Sequence, residues 1–214
     1  GDKLLLRNAL ASRVGEVMQM PFTPCYQFID LYLNGRYDGN YQVSDQMEVH
    51  KGRLEIARQD TMVTNPATDI SGGYFLEPEG NTASDGLYFM SKQGCHIRIH
   101  DPKPKVINPR QLNYIKAYIN KFESALYGDE FAHAKRGYRQ YTDTTSLIDW
   151  YLVQEISANP DGFWCSYIYK ERADERLYFG PIWDFDICWN NCSRMGDVSK
   201  RLAIQFGYGS NYTI

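Results

Sequence analysis

The chain has 214 residues, 43% of them apolar and 14% aromatic, which is enough to bury one sizeable core and excludes a disordered or fibrous polymer. A formal charge of −3, with its 23 Lys and Arg residues dispersed, supplies no positive field and argues against nucleic acid as the main partner. No apolar run approaches the length of a membrane span.

The start, Gly1-Asp2-Lys3-Leu4-Leu5-Leu6-Arg7, lacks signal-peptide organisation and runs straight into a helical pattern, so the chain is expected to be part of a longer protein. Leu5, Leu6, Ala9, Leu10, Val14, Val17 and Met18 recur at helical spacing, and Pro21 and Pro24 mark the stop, which predicts a helix over 3–19. Residues 27–33 have strand composition, Asn34-Gly35 is a tight-turn signal, and 39–43 can return as the partner strand. Shorter strand-like runs follow at 53–57, 73–77, 86–90 and 95–100, separated by segments rich in Gly, Asn, Asp and Pro.

Beyond Pro102 and Pro104 the pattern turns helical. Asn108-Pro109 with Gln111 supplies an N-cap, a first-turn proline and a capping-box partner, and Leu112, Ile115, Ile119, Phe122 and Leu126 repeat at three- and four-residue steps towards Gly128. A second helix, capped by Thr144 or Thr145, is expected to carry Leu147, Ile148, Tyr151, Leu152 and Ile156 on its buried side and to end at Asn159-Pro160. The resulting expectation is an α+β domain with a sheet-rich part over 1–104 and a helical part over 105–214.

The chemistry concentrates after that helix. Asp161 precedes two strand-like runs, 166–170 and 177–182, joined by the polar turn Ala173-Asp174-Glu175, and Asp184 and Asp186 follow the second run. A hairpin returns the chain to where it began, so carboxylates at its two ends can face one pocket. Phosphoryl transfer uses such a division: one carboxylate near the incoming hydroxyl, another holding a metal against the phosphate oxygens. Loop aspartates also cap turns, and paired glycosidase carboxylates would look the same. The four histidines (50, 96, 100 and 133) are scattered without H-E-x-x-H, no G-x-S-x-G elbow is present, and the five cysteines form no C-x-x-C pair.

Five segments extend this reading: Leu6-Arg7-Asn8-Ala9-Leu10-Ala11, Leu31-Tyr32-Leu33-Asn34-Gly35, Gly72-Gly73-Tyr74-Phe75-Leu76-Glu77, the run from Gln154 to Asp161, and Gly180-Pro181-Ile182-Trp183-Asp184-Phe185-Asp186. In this order they resemble the CotH kinase family, over nearly the whole chain. The resemblance implies an atypical protein-kinase-like fold and transfer of the γ-phosphate of ATP, with Mg2+, to Ser or Thr of a secreted, coat or envelope protein outside the cytoplasm. It makes 1–104 the nucleotide-side lobe and 105–214 the catalytic lobe. Asp161 corresponds to the catalytic aspartate and Asp184 to the metal aspartate, with Asp186 as a further ligand or its supporting partner. Glu155 and Asn159 lie on the same motif, where a surface charge and a helix cap are the competing roles.

For the nucleotide, Arg53, Arg98 and Glu77 all fall on strand-like runs and form the candidate cation and acid set. Relatives commonly carry Lys just before the proline that matches Pro102, where this chain has Ile99-His100-Asp101-Pro102; weak ATP affinity or a cation from elsewhere follows. Ser166 stands where ordinary kinases place an Asn for a second metal. Neither glycine-rich phosphate signature is present. The rival expectation is a catalytically degenerate relative acting as a surface-binding or adhesion module.

Overall fold

The computed structural model describes residues 2–59, 63–79, 86–193, 195–200 and 202–206. Helix α1 covers Arg7–Val17, shorter than expected, because the Asp2 carboxylate accepts from the amides of Leu4 and Arg7 (3.1 and 3.0 Å) and holds the preceding residues in a turn. Strands β1 (Tyr26–Leu33) and β2 (Arg36–Ser44) form the expected antiparallel hairpin. Its turn has Asn34 and Gly35 both at positive φ (52° and 79°), the twist that suits a two-residue connection.

The main sheet contains β3 (Tyr74–Glu79), β4 (Leu87–Met90), β5 (His96–Asp101), β6 (Ile168–Lys170) and β7 (Leu177–Phe179), in the order β4-β5-β3-β6-β7, antiparallel throughout. One sheet therefore draws strands from both sides of residue 104, joined where β3 pairs with β6 at Leu76–Ile168. Its centre, β3, is closed to solvent at Tyr74, Phe75 and Leu76. The run at 53–57 is not a strand: beyond an isolated bridge from Val49 to Leu54 it is irregular, and it buries Leu54 and Ile56 against Phe75 and Tyr169 on the back of the sheet.

Gly73 shows why the entry to β3 reads Gly-Gly. Its φ is +84°, and a Cβ there would lie 2.1 Å from the carbonyl oxygen of Ala57, which is backbone and has nowhere to go. Gly73→Ala is expected to destabilise by roughly 3 kcal/mol, lowering Tm by roughly 6–12 °C. Gly94→Ala, at the same φ but facing open space, should lose only about 1 kcal/mol. Thermal melts of the pair separate steric clash from backbone strain; equal losses would reject the clash.

On the front of the sheet Tyr74, Leu76, Ile97, Ile99, Ile168, Leu177 and Phe179 pack against two helices. Helix α2 (Pro109–Leu126) has the full Asn108–Gln111 capping box and stops at Leu126, its cap being Tyr127 rather than Gly128. Helix α3 (Thr144–Ser157) is capped by Asp143, whose carboxylate accepts from the Ser146 amide at 2.8 Å, so neither threonine serves. Its buried face also differs from expectation. Trp150, Val153, Gln154 and Ser157 point inward, while Ile148, Leu152 and Ile156 are 54%, 40% and 60% exposed. Polar groups are tolerated inside because local partners satisfy them: Ser157 Oγ donates to the Val153 carbonyl, and Trp150 Nε1 to Ser166 Oγ at 3.0 Å. No helix among the described residues is long and apolar enough to cross a membrane.

Candidate active site

Helix α3 ends in a left-handed residue, Ala158 (φ 50°), which turns the chain sharply into Asn159. Asn159 is buried and ties two loops together. Its Oδ1 accepts from the Asp161 amide (3.2 Å), and its Nδ2 donates to the Asp184 carbonyl (3.5 Å). Asp161 opens a single helical turn, Asp161–Phe163, closed by the amides of Trp164 and Cys165 on the Asp161 carbonyl. Inside that turn Gly162 lies so close to α3 that a Cβ would stand 2.0 Å from Gln154 Oε1.

Ser166 follows, and its hydroxyl is committed to structure. It accepts from Trp150 and donates to the Gly162 carbonyl, bracing the Asp161 turn against α3. From there β6 and β7 carry the chain out and back to Trp183 and Asp184.

The returning loop is pinned from α1. Asn8 Oδ1 accepts from the Phe185 amide (2.7 Å), and Arg7 Nε donates to the Cys188 carbonyl (2.8 Å). Trp189 N donates to the Ser157 carbonyl (2.7 Å), and Asn191 Nδ2 to that of Asp186 (2.6 Å). Phe185 and Cys188 are buried in the core, which fixes the loop from below. Asp184 itself is held at φ 59°, a left-handed conformation uncommon for any residue with a side chain, and this over-determined anchoring is what sustains it.

Asp184 feels the charge of two further carboxylates, Asp186 and Asp161. Asp184 is pushed up to about 6, first because partial burial penalises the charge, then by the charge of Asp186 and a hydrogen bond with it, then by the charge of Asp161. Solvent nevertheless reaches Asp184 directly. The neighbouring phenol of Tyr26, at the base of the β1–β2 hairpin, is raised to about 12 by burial and then by Asp184 and Asp45. Among the described residues no three His, Cys, Asp or Glu side chains form a ready cage for a metal. Mg2+ requires none: it takes one or two carboxylates and completes its shell with waters and phosphate oxygens. The all-oxygen pair Asp184 and Asp186, destabilised by mutual repulsion, fits that ion.

A second polar group sits on the back of the sheet. Glu77 is nearly fully buried, and its Oε2 lies 2.7 Å from His100 Nε2. The His100 ring packs on Phe75 and on Tyr167, both at 5.3 Å between centroids, and Tyr167 packs on Trp183 at 5.1 Å. The Tyr167 phenol is pushed well above its usual range by burial and then by Glu77, against an opposing effect of Arg98, with lesser contributions from Glu79 and Asp184. Tyr167 thus packs between His100 and Trp183, the residue that precedes Asp184.

The remaining candidates are placed less centrally. Arg98, opposite Glu77 in the ladder, bonds Glu79 at 3.2 Å and lies over the Tyr88 ring. Arg53 is on a loop rather than a strand, and its guanidinium is held by Glu48 and, at 3.8 Å, by Asp45. Glu155 accepts from the amides of Ala203 and Ile204 (2.7 and 3.1 Å), so it caps the short helical turn Ala203–Phe206. Arg7, Asn8 and Tyr167 escape sequence reasoning as site residues, for their roles are contacts with distant backbone or rings. The recurrence of Arg7-Asn8 within a segment resembling a kinase family was the available signal.

The class these features define is an α+β domain with an acidic site framed by a hairpin. The model of the CotH kinase protein family matches residues 1–213, and the chain belongs to that family, whose activity is of the kinase type. No curated protein and no solved structure matches the chain significantly.

Proposed function

We propose that this domain adopts a protein-kinase-like arrangement and transfers the γ-phosphate of ATP to Ser or Thr hydroxyls of a protein of the coat or envelope. The observation that carries this reading is that Asn159 ties the loop of Asp161 to the loop of Asp184 and Asp186 across the two ends of one hairpin. Asp161 orients the incoming hydroxyl and accepts its proton, a task that needs a carboxylate on a rigid turn; Ser166 and Asn159 supply that rigidity. Asp184 and Asp186 hold Mg2+, which when bound neutralises the phosphate oxygens. Asn159 keeps the two loops in register through its bonds to Asp161 and the Asp184 carbonyl. The nucleotide lies on the sheet face that carries Glu77 and Tyr167.

One observation favours a second reading, a degenerate binding module: Ser166, at the second-metal position, is engaged by Trp150 and Gly162. A single experiment separates the two. The protein is incubated with γ-labelled ATP and a Ser-rich peptide, with Mg2+ or with EDTA. Mg-dependent label on the peptide or on the chain itself is the expected result, and ATP binding without transfer under all conditions would reject the kinase reading.

A further inference from the structure

The front of the main sheet is not completely filled. Between it and the C-terminal half of α2 lies a cavity of about 190 Å³, on the face that Leu76 shares with Ile97 and Ile168 and opposite to the one that carries Glu77. Its floor is apolar, made by Ile97, Ile119, Phe122, Ile168 and Phe179. Phe163 and Trp164, from the turn that begins at Asp161, form one wall, and the exposed Gln93 and Gly94 between β4 and β5 stand at the mouth. A cavity of about 150 Å³ with aliphatic and phenyl walls admits benzene, so one aromatic ring fits here.

The polar part of the lining is acidic. Among the described lining residues are two carboxylates, Glu79 and Glu123, and no Lys or Arg. Glu79 is bonded to Arg98 at 3.2 Å. Glu123 is only 7% exposed, and its oxygens accept from two neutral donors, Ser91 Oγ (2.5 Å) and the Gln93 amide (3.2 Å). Neither donor cancels its charge, and each oxygen keeps a further acceptor position. Burial and the charge of Glu123 push the Cys95 thiol, also in the lining, up to about 11, so that group stays neutral.

We propose that this cavity is a binding site for a small aromatic amine, with its ring among Ile119, Phe122, Ile168 and Phe179 and its ammonium group on Glu123. A buried carboxylate met by neutral donors gains a charge-assisted bond from such a cation. The same carboxylates repel phosphates and carboxylic acids, which separates the cavity chemically from a nucleotide site. A ligand there touches the Asp161 turn through Phe163 and Trp164 without meeting Asp161 itself, and its binding does not depend on the kinase reading.

The probes are 2-phenylethylamine, its neutral isostere 2-phenylethanol and the anion 3-phenylpropionate, titrated at pH 8, where an alkylamine carries its charge. Binding is followed through the indole N–H resonance of Trp164, assigned with Trp164→Phe. The amine should shift that resonance with a Kd on the order of 1 mM or lower and bind about tenfold tighter than the alcohol, and the anion should not bind. In Glu123→Gln the amine and the alcohol should come within about twofold of each other. Leu126→Trp, which fills the cavity from its wall, should lose both. If a variant does not fold, as judged by thermal melting, the three probes on wild type decide. An unmoved Trp164 resonance, equal affinity for amine and alcohol in wild type, or a preference that survives Glu123→Gln would overturn the assignment. Displacement of the amine by Mg-ATP would also overturn it, by making the cavity part of the nucleotide site.

Discussion

Asp161→Asn is expected to lower phosphoryl transfer by about two to four orders of magnitude while leaving Mg-ATP affinity within a few-fold of wild type. The substitution keeps the size of the side chain and removes the proton acceptor. The backbone of the turn is held independently, by the Asn159 bond to the Asp161 amide and by the Asp161 carbonyl accepting from Trp164 and Cys165, so the fold should be unaffected. Because Asp161 is assigned to the hydroxyl rather than to the nucleotide, the loss should fall on kcat. Single-turnover transfer of labelled phosphate measures it directly. A mutant with near-normal transfer would remove Asp161 from the chemistry, and one that lost ATP binding instead would move it to the metal.

Much of this arrangement was legible in the chain. The Asn108–Gln111 capping box, the Asn34-Gly35 turn and the hairpin between Asp161 and Asp184 depend on local backbone chemistry, which a short stretch of sequence carries. What escaped was long-range. Residues 53–57 alternate like a strand because Leu54 and Ile56 are buried on one side, but periodicity reports burial, not ladder partners, and here there is no ladder. The inward face of α3 departs from its apolar pattern for a related reason. Counting apolar residues favours Ile148, Leu152 and Ile156, whereas Gln154 and Ser157 are drawn inside, beside Trp150, whose indole must reach Ser166. Asn8 is the extreme case: it holds the amide of Phe185 from the opposite end of the chain, and a single asparagine on an amphipathic helix gives no local sign of that.

Asp184→Asn is expected to move two quantities in opposite directions, which makes it the most discriminating substitution. In the protein without metal, the Asp184 carboxyl is raised to about 6 from an ordinary value near 4, so the folded state holds its proton more tightly than the unfolded chain does. Stability from this group is therefore highest at acidic pH, falls as pH rises through about 4 to 6, and stays low above that. Asparagine removes the charge, tolerates the left-handed backbone, and should raise metal-free stability at pH 7 by about 1 kcal/mol after allowing for solvent screening, or roughly 2–4 °C in Tm. It should also flatten the dependence of Tm on pH between 4 and 7. With Mg-ATP present the order reverses. At a hundredfold excess over Kd, ligand should stabilise wild type by about 2.7 kcal/mol, roughly 5–11 °C, and that gain should vanish in the mutant because Asp186 alone is left to hold the ion. Thermal melts of both proteins, with and without Mg-ATP, read all of this in one set. A mutant that keeps the ligand-induced shift would dismiss Asp184 as a metal ligand, and one that is less stable without metal would show that its carboxylate serves the fold rather than straining it.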